Sequence, residues 1–296
     1  MKSAPLRKRS QGPAPRGELR RLLDELDLRA KKGLGQHFLV DRGALKHILS
    51  AAELKSSDIV VEVGAGLGVL TRELAERVRW VVAIEIDSKL VSALSQRLSS
   101  FSNITLINVD VLQAEPLTLL SQIPGEISSK GLPPYKMVAN LPYYIASAVL
   151  RHFLEASHKP SRMVVTVQKE VAENMAAQPG RMGLLSVGIQ FYGKPTIVHM
   201  IPSGSFYPKP KVDSAVVAID VYPRSAVEVA NVERFFEVVR AGFSAPRKQL
   251  RNALAHGLGI PPPNAEELLG QACINPRRRA EALSLEEWAR LYEVVS

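Results

Sequence analysis

A glycine-rich turn, Gly64-Ala-Gly-Leu-Gly68, follows the apolar run Ile59–Val63 and precedes a helical repeat that starts at Val69. Glycines let a backbone approach a ligand closely, and a helix start presents N–H groups that have no partner of their own. The spacing is Gly64-x-Gly66-x-Gly68, whereas a dinucleotide fold wants a further glycine where Val69 stands, so the pattern speaks against NAD. The next two apolar runs end in acid. Glu85, within Ala83-Ile-Glu-Ile-Asp87, is placed to accept from two ribose hydroxyls, and Asp110, within Asn108-Val-Asp110, from the exocyclic amine of an adenine. One acid at a strand end is commonly a helix cap. Three successive strand ends, each with a suitable group, point to an adenosyl cofactor.

The fourth apolar run ends in Asn140-Leu-Pro-Tyr143. A strand that merely turned would not need an amide, a proline-fixed carbonyl and an aromatic in succession. These groups suit one demanding nucleophile, the exocyclic amine of adenine, whose lone pair is delocalised into the ring. The Asn140 oxygen and a backbone carbonyl held by Pro142 can accept its two N–H bonds, draw the nitrogen toward tetrahedral geometry and aim the lone pair at a sulfonium methyl. Tyr143 can stack on the base once it is flipped out. No strong general base is required, because the methylated nitrogen is acidic enough to lose its proton to water. The bland alternative is an Asn-x-Pro turn with no chemistry.

The elements that must position these groups follow from periodicity. Apolar runs at Ile59–Val63, Trp80–Ile84, Ile104–Val109, Lys136–Ala139 and Met163–Gln168 alternate with helical repeats at Val69–Arg77, Lys89–Leu98, Ala146–Ala156 and onward from Glu170. That alternation argues for βαβ units around a parallel sheet. Pro195–Met200 and Ser214–Val221 add an antiparallel pair. After Tyr222-Pro-Arg224 only helices are read: Val232–Phe243, Gln249–His256, Ala265–Ala272 and Leu285–Val294. The chain therefore divides into a basic tail and short helix (1–30), an α/β domain (31–224) and a small C-terminal α-helical domain (225–296). Residues 115–135 read as a loop without a functional handle.

With 296 residues and 46% hydrophobic content, one sizeable core and a smaller second domain are expected. No apolar run reaches the roughly 18 residues of a membrane span, and the basic N-terminus has no apolar stretch behind it. A cytoplasmic protein without membrane contact is expected. The single cysteine, Cys273, excludes an internal disulfide and a cysteine-based metal cluster, no metal is expected, and Cys273 reads as a small buried hydrophobe. The net charge of +9 makes a polyanion the first partner to consider, and one cluster of cations falls on Arg247, Lys248 and Arg251.

These motifs closely resemble the ribosomal RNA adenine N6,N6-dimethyltransferases that modify two adjacent adenosines near the 3′ end of small-subunit rRNA, the KsgA family. The resemblance runs from Lys31 to near the C-terminus. Besides the glycine turn, Glu85-Ile-Asp87 and Asn140-Leu-Pro-Tyr143, it rests on Gly35-Gln-His-Phe-Leu-Val-Asp41, Gln168-Lys-Glu170, Phe206-Tyr-Pro-Lys-Pro-Lys-Val-Asp-Ser214 and Arg247-Lys-Gln-Leu-Arg-Asn252. It implies a Rossmann-like methyltransferase domain with a helical rRNA-docking domain, S-adenosylmethionine as cofactor, and 16S rRNA in the 30S subunit or its precursor as partner of a monomeric enzyme. The cofactor contacts it implies fall on His37, Leu39, Gly64, Gly66, Glu85, Asp110 and Asn140. Those for the target adenine fall on Asn140, Leu141, Pro142 and Tyr143, with Phe206 as the opposite wall of a sandwich. The macrolide-resistance type of 23S rRNA methyltransferase shares the catalytic motifs, and an assembly factor with dispensable methylation is compatible with them. A DNA adenine methyltransferase usually has a second proline where Leu141 stands.

Overall fold

The alternation of apolar runs with helical repeats builds α/β layers in the computed structural model, which describes residues 36–125 and 133–295. The expected tail and short helix of residues 1–30 lie outside the described residues. The strands found are β1 (Phe38–Leu39), β2 (Ile59–Val63), β3 (Trp80–Glu85), β4 (Ile104–Asn108), β5 (Tyr135–Asn140), β6 (Arg162–Gln168), β7 (Gly193–Ile201), β8 (Phe206–Tyr207) and β9 (Ser214–Val221). Seven of them form one sheet in the order β4-β3-β2-β5-β6-β9-β7. β2 to β6 are parallel, and β9 and β7 close the edge as the expected antiparallel pair, with a bulge between Ile197 and His199. Helices cover both faces, so all five residues of β2 are buried, four of them apolar and the fifth Glu62. Val61, Met137 and Phe153 belong to the core on one face, Val60, Val138 and Leu74 to the core on the other.

The order of strands reverses beside β2. From there the chain steps outward through β3 and β4, then returns to lay β5 on the other side of β2, which opens a crevice at the carboxyl ends of β2 and β5.

Three elements are not read from the sequence. Helix Arg42–Ala51 starts where the Asp41 side chain accepts from the N–H groups of Gly43 and Ala44. Helix Leu184–Tyr192 lies in a stretch to which no separate element is assigned from the sequence. The stretch read as a loop at 115–135 carries helix Pro116–Leu120, too short to show a repeat. Cys273 also departs from expectation: it is exposed, because it sits at φ +57° where the chain turns after helix Pro262–Gln271.

The C-terminal helices Val232–Gly242, Leu250–Leu258, Pro262–Gln271 and Leu285–Val295 pack around Phe235, Trp288 and Leu291. That core also takes in Val187 and Phe191 from helix Leu184–Tyr192, and Phe191 stacks on Phe235 at 5.0 Å. The helical part thus borrows one wall from residues before 224. Among the described residues no helix is long and apolar enough to cross a membrane.

Candidate active site

The strand registers align four ends at one edge of the sheet. Val63 lies opposite Ile84 and Ala139, and Glu85 opposite Asn108. Gly64, Gly66, Glu85, Asp110 and Asn140 consequently line a single cleft of about 170 Å³, together with His37 and Tyr143.

One wall of this cleft is held by Glu85. Its Oε2 accepts from Gly66 N–H at 2.9 Å and its Oε1 from Asp87 N–H at 3.0 Å, while burial raises its pKa above the ordinary carboxylate value. Gly66 makes this bond at φ +57°, a left-handed conformation that favours glycine, and a Cβ there would stand 3.2 Å from the Phe38 ring. At Gly64, φ +76°, a Cβ would face the Asn140 carbonyl and the Pro142 ring, each 3.8 Å away. Asn108 donates to the carbonyls of Glu85 (2.8 Å) and Ile86 (3.1 Å), which fixes the turn that leaves Ile86 49% exposed on the cleft. Asp110 accepts from Leu112 N–H at 3.0 Å and opens a short 3-10 turn. A carboxylate for ribose hydroxyls, an acid for an amine, and Ile86 with Leu112 for a planar ring together fit an adenosyl group.

The opposite wall is the Asn140 loop. Asn140 Nδ2 donates to the His37 carbonyl at 3.0 Å, so the amide is oriented with its Oδ1 free to accept. Pro142's carbonyl is taken by Ile145 N–H at 3.2 Å, which leaves the Leu141 carbonyl as the loop's second acceptor. The Tyr143 ring is pinned at both ends. Its hydroxyl is 2.6 Å from Ser214 Oγ, itself fully buried, and His37 stacks on one face with centroids 5.3 Å apart. Burial raises the Tyr143 pKa, so its hydroxyl stays neutral. His37 Nδ1 lies 2.7 Å from the Pro208 carbonyl, which only accepts, so that nitrogen carries the proton. The arrangement can hold a planar base against the open face of Tyr143 and bind its amine at two oxygens.

A sequence profile for the family described as ribosomal RNA adenine dimethylase matches residues 27–296. The chain belongs to this family. Similar relatives include "Ribosomal RNA small subunit methyltransferase A" of Dehalococcoides mccartyi, 49% identical over 95% of this chain and 94% of that one. The protein of the same description from Moorella thermoacetica is 42% identical over 91% and 94%. Among solved structures, the 23S rRNA methyltransferase ErmE shares 32% identity at a TM-score of 0.66, over 87% of this chain and 98% of that one. A dimethyladenosine transferase from Plasmodium falciparum shares 26% at 0.70, over 86% and 96%.

In this dimethylase-family chain the side chains of two residues singled out by the resemblance do not line the cleft. Phe206 is 1% exposed and packs in the core with Ile201, Val138 and Val216, so it offers no face to the cleft. The reason is register: β8 pairs antiparallel with β1, Phe206 opposite Leu39, and both side chains turn toward the core. Leu39 is likewise buried, and the cleft-lining residue of β1 is Phe38, which sequence reasoning missed although it adjoins His37 in the same motif. We expect Phe206→Ala to cost about 3–5 kcal/mol of stability, as for other buried aromatics, with chemical denaturation as the measurement. An unchanged midpoint would return Phe206 to the list of base-stacking residues.

The three cations assigned to RNA do not line the cleft. Arg247 and Lys248 are exposed, whereas Arg251 is paired with Glu266 at 3.1 Å and ties helix Leu250–Leu258 to helix Pro262–Gln271.

Glu62 is a further acid that the motif conceals. It is 1% exposed, neighbours the Thr71 hydroxyl, and yet its Oε2 and Thr71 Oγ1 are both buried without a hydrogen-bond partner. Its side chain borders a cavity of about 50 Å³ shared with Gly64, Gly66 and Asn140. Burial, opposed by Thr71 and reinforced by the charge of Glu85, pushes its pKa from 4.5 to about 8. The unfolded chain releases this proton near pH 4.5 and the folded chain only near pH 8, so stability drains away as pH rises through that window. At 1.36 kcal/mol per pKa unit the loss is on the order of 4–5 kcal/mol. Glu62→Gln should therefore gain stability over the parent progressively from pH 5 to 8 and hold that gain above. Thermal unfolding of both proteins from pH 5 to 9 checks this; a gap independent of pH would mean that Glu62 does not titrate there.

Proposed function

We propose that this chain transfers methyl groups from S-adenosylmethionine to N6 of two adjacent adenosines in the 3′-terminal hairpin loop of 16S rRNA, dimethylating both. It acts on the 30S subunit or its precursor, as a cytoplasmic monomer, and so contributes to small-subunit biogenesis. The observation that carries the reading is the oriented Asn140 amide, its oxygen left free beside the pinned Tyr143 ring at the mouth of an adenosyl-shaped cleft. Relatives described as small-subunit methyltransferases at 49% identity, against 32% for a 23S enzyme, support the choice of subunit.

Glu85 accepts from the ribose, Asp110 from the adenine amine, and the glycine turn gives the cofactor's amino-acid end room to approach the backbone. The cofactor supplies an electrophilic sulfonium methyl. Asn140 Oδ1 and the Leu141 carbonyl accept the two N–H bonds of the target amine and so direct its lone pair toward that methyl. Pro142 keeps the second acceptor in place, and Tyr143 holds the extruded base on its open face. On transfer the methyl's bond to sulfur would break, leaving the neutral thioether of S-adenosylhomocysteine, and the nitrogen's surplus proton would go to solvent. Exposed Arg247 and Lys248 on the helical part meet rRNA phosphates.

Incubation with labelled cofactor, followed by mass spectrometry of rRNA fragments, tests the reading. Unmethylated 30S particles should gain dimethyladenosine at two neighbouring positions, and free 23S rRNA should gain none. Labelling of 23S rRNA alone would establish the macrolide-resistance type instead.

A further inference from the structure

Tyr144 is the most exposed large hydrophobic side chain among the described residues, 58% exposed, and the only aromatic in that group. It follows Tyr143 directly in the turn closed by the Ile145 N–H to Pro142 carbonyl bond, and it lines the cleft mouth. No hydrogen bond or ring contact is found for its side chain among the described residues. A large aromatic without an internal partner at a cleft mouth has a π-face available to stack on a base. The neighbouring geometry narrows the partner. One face of Tyr143 is covered by His37, and Phe206 is buried in the core, so Tyr143 presents one open face and accommodates a single base. Ile86, Asp110 and Leu112 line the same cleft and supply its adenosyl wall, and Tyr144, more exposed than any of them, shares its lining.

We infer that Tyr144 stacks against the nucleobase adjoining the target adenosine, so that two successive aromatic residues receive two successive bases of an unpaired RNA strand. This rests on the function proposed above, and deepens it by assigning a residue to recognition of the adenosine pair. Single-stranded RNA is read in this way, by splaying bases onto aromatic faces. Tyr143 holds the base being modified; Tyr144 keeps the strand in register and places the next adenosine for the following transfer.

Steady-state methylation of unmethylated 30S particles by Tyr144→Ala, Tyr144→Leu and Tyr144→Phe variants tests the inference. Base–aromatic stacking sets the expected rise in KM for the particle at about 5- to 150-fold for Ala and Leu, with Phe close to the parent. Affinity for S-adenosylhomocysteine by calorimetry, and the melting temperature, should not move. Mass spectrometry should show rRNA modified at one adenosine alone accumulating with the Ala variant. An Ala variant with the parent's KM, or one whose cofactor affinity falls in step with KM, overturns the inference. A Leu variant that works as well as Phe overturns it too, since apolar bulk would then suffice. If the parent enzyme itself leaves 30S particles unmodified, the substrate reading falls and this inference with it.

Discussion

Replacing Asn140 with alanine is expected to slow single-turnover methyl transfer about 10²- to 10³-fold, or about 2.7–4 kcal/mol of barrier, by analogy with loss of one positioned oxyanion-hole donor. The protein should stay folded, because the side chain makes one hydrogen bond, to the His37 carbonyl, worth about 1 kcal/mol net. Asn140→Asp separates acceptor from orientation. The carboxylate still offers oxygens to the target amine, but it meets the His37 carbonyl with an acceptor where the amide had a donor. It should therefore fail nearly as badly as alanine and also lower stability. Rapid-quench measurement at saturating cofactor reads the chemical step directly. An Asp variant within about tenfold of the parent would show that His37 does not set the amide's direction.

Glu85→Ala should abolish measurable cofactor binding under conditions where the parent binds. Two charge-assisted hydrogen bonds to ribose are lost, at about 1.5–3 kcal/mol each, which is at least about 150-fold in affinity. The loss is compounded because Gly66 N–H and Asp87 N–H are left with no acceptor, and the glycine turn loses its tether. Glu85→Gln is the sharper variant. Each oxygen faces an N–H donor, so a glutamine must aim its NH2 at one of them. Calorimetric titration with S-adenosylhomocysteine measures both. Parent-like affinity for Glu85→Gln would place the ribose elsewhere in the cleft.

Both sites were legible in the sequence because each residue closes a strand. Parallel pairing obliges the carboxyl ends of these strands to meet at one edge, so Glu85, Asp110 and Asn140 could be assembled from their positions alone. What Phe206 does could not be read that way. Its orientation depends on pairing between two-residue strands that are distant in sequence, a register no local pattern records. The part played by His37 was hidden for a different reason. It works on Asn140 through its backbone carbonyl, and side-chain identity says nothing about where a carbonyl points. Arg251 shows the same limit for charge: composition counts a cation but not its ion pair with Glu266.

The tie between the first and the later motif has a consequence for biosynthesis. His37 reaches the Pro208 carbonyl 171 residues along the chain, and Asp41 accepts from Ser205 across 164. A nascent polypeptide that has emerged only through β6 can assemble the parallel strands, yet it lacks the β8 pairing and the Ser205 and Pro208 contacts of the β1 segment, so the carbonyl that aims the Asn140 amide is less firmly placed. Contacts of such high sequence separation form late, after loop closure has been paid for by the core. Competence thus arrives near the end of synthesis, and an incomplete translation product carries the whole glycine turn and Asn-Leu-Pro-Tyr segment without being able to modify the ribosome that is making it.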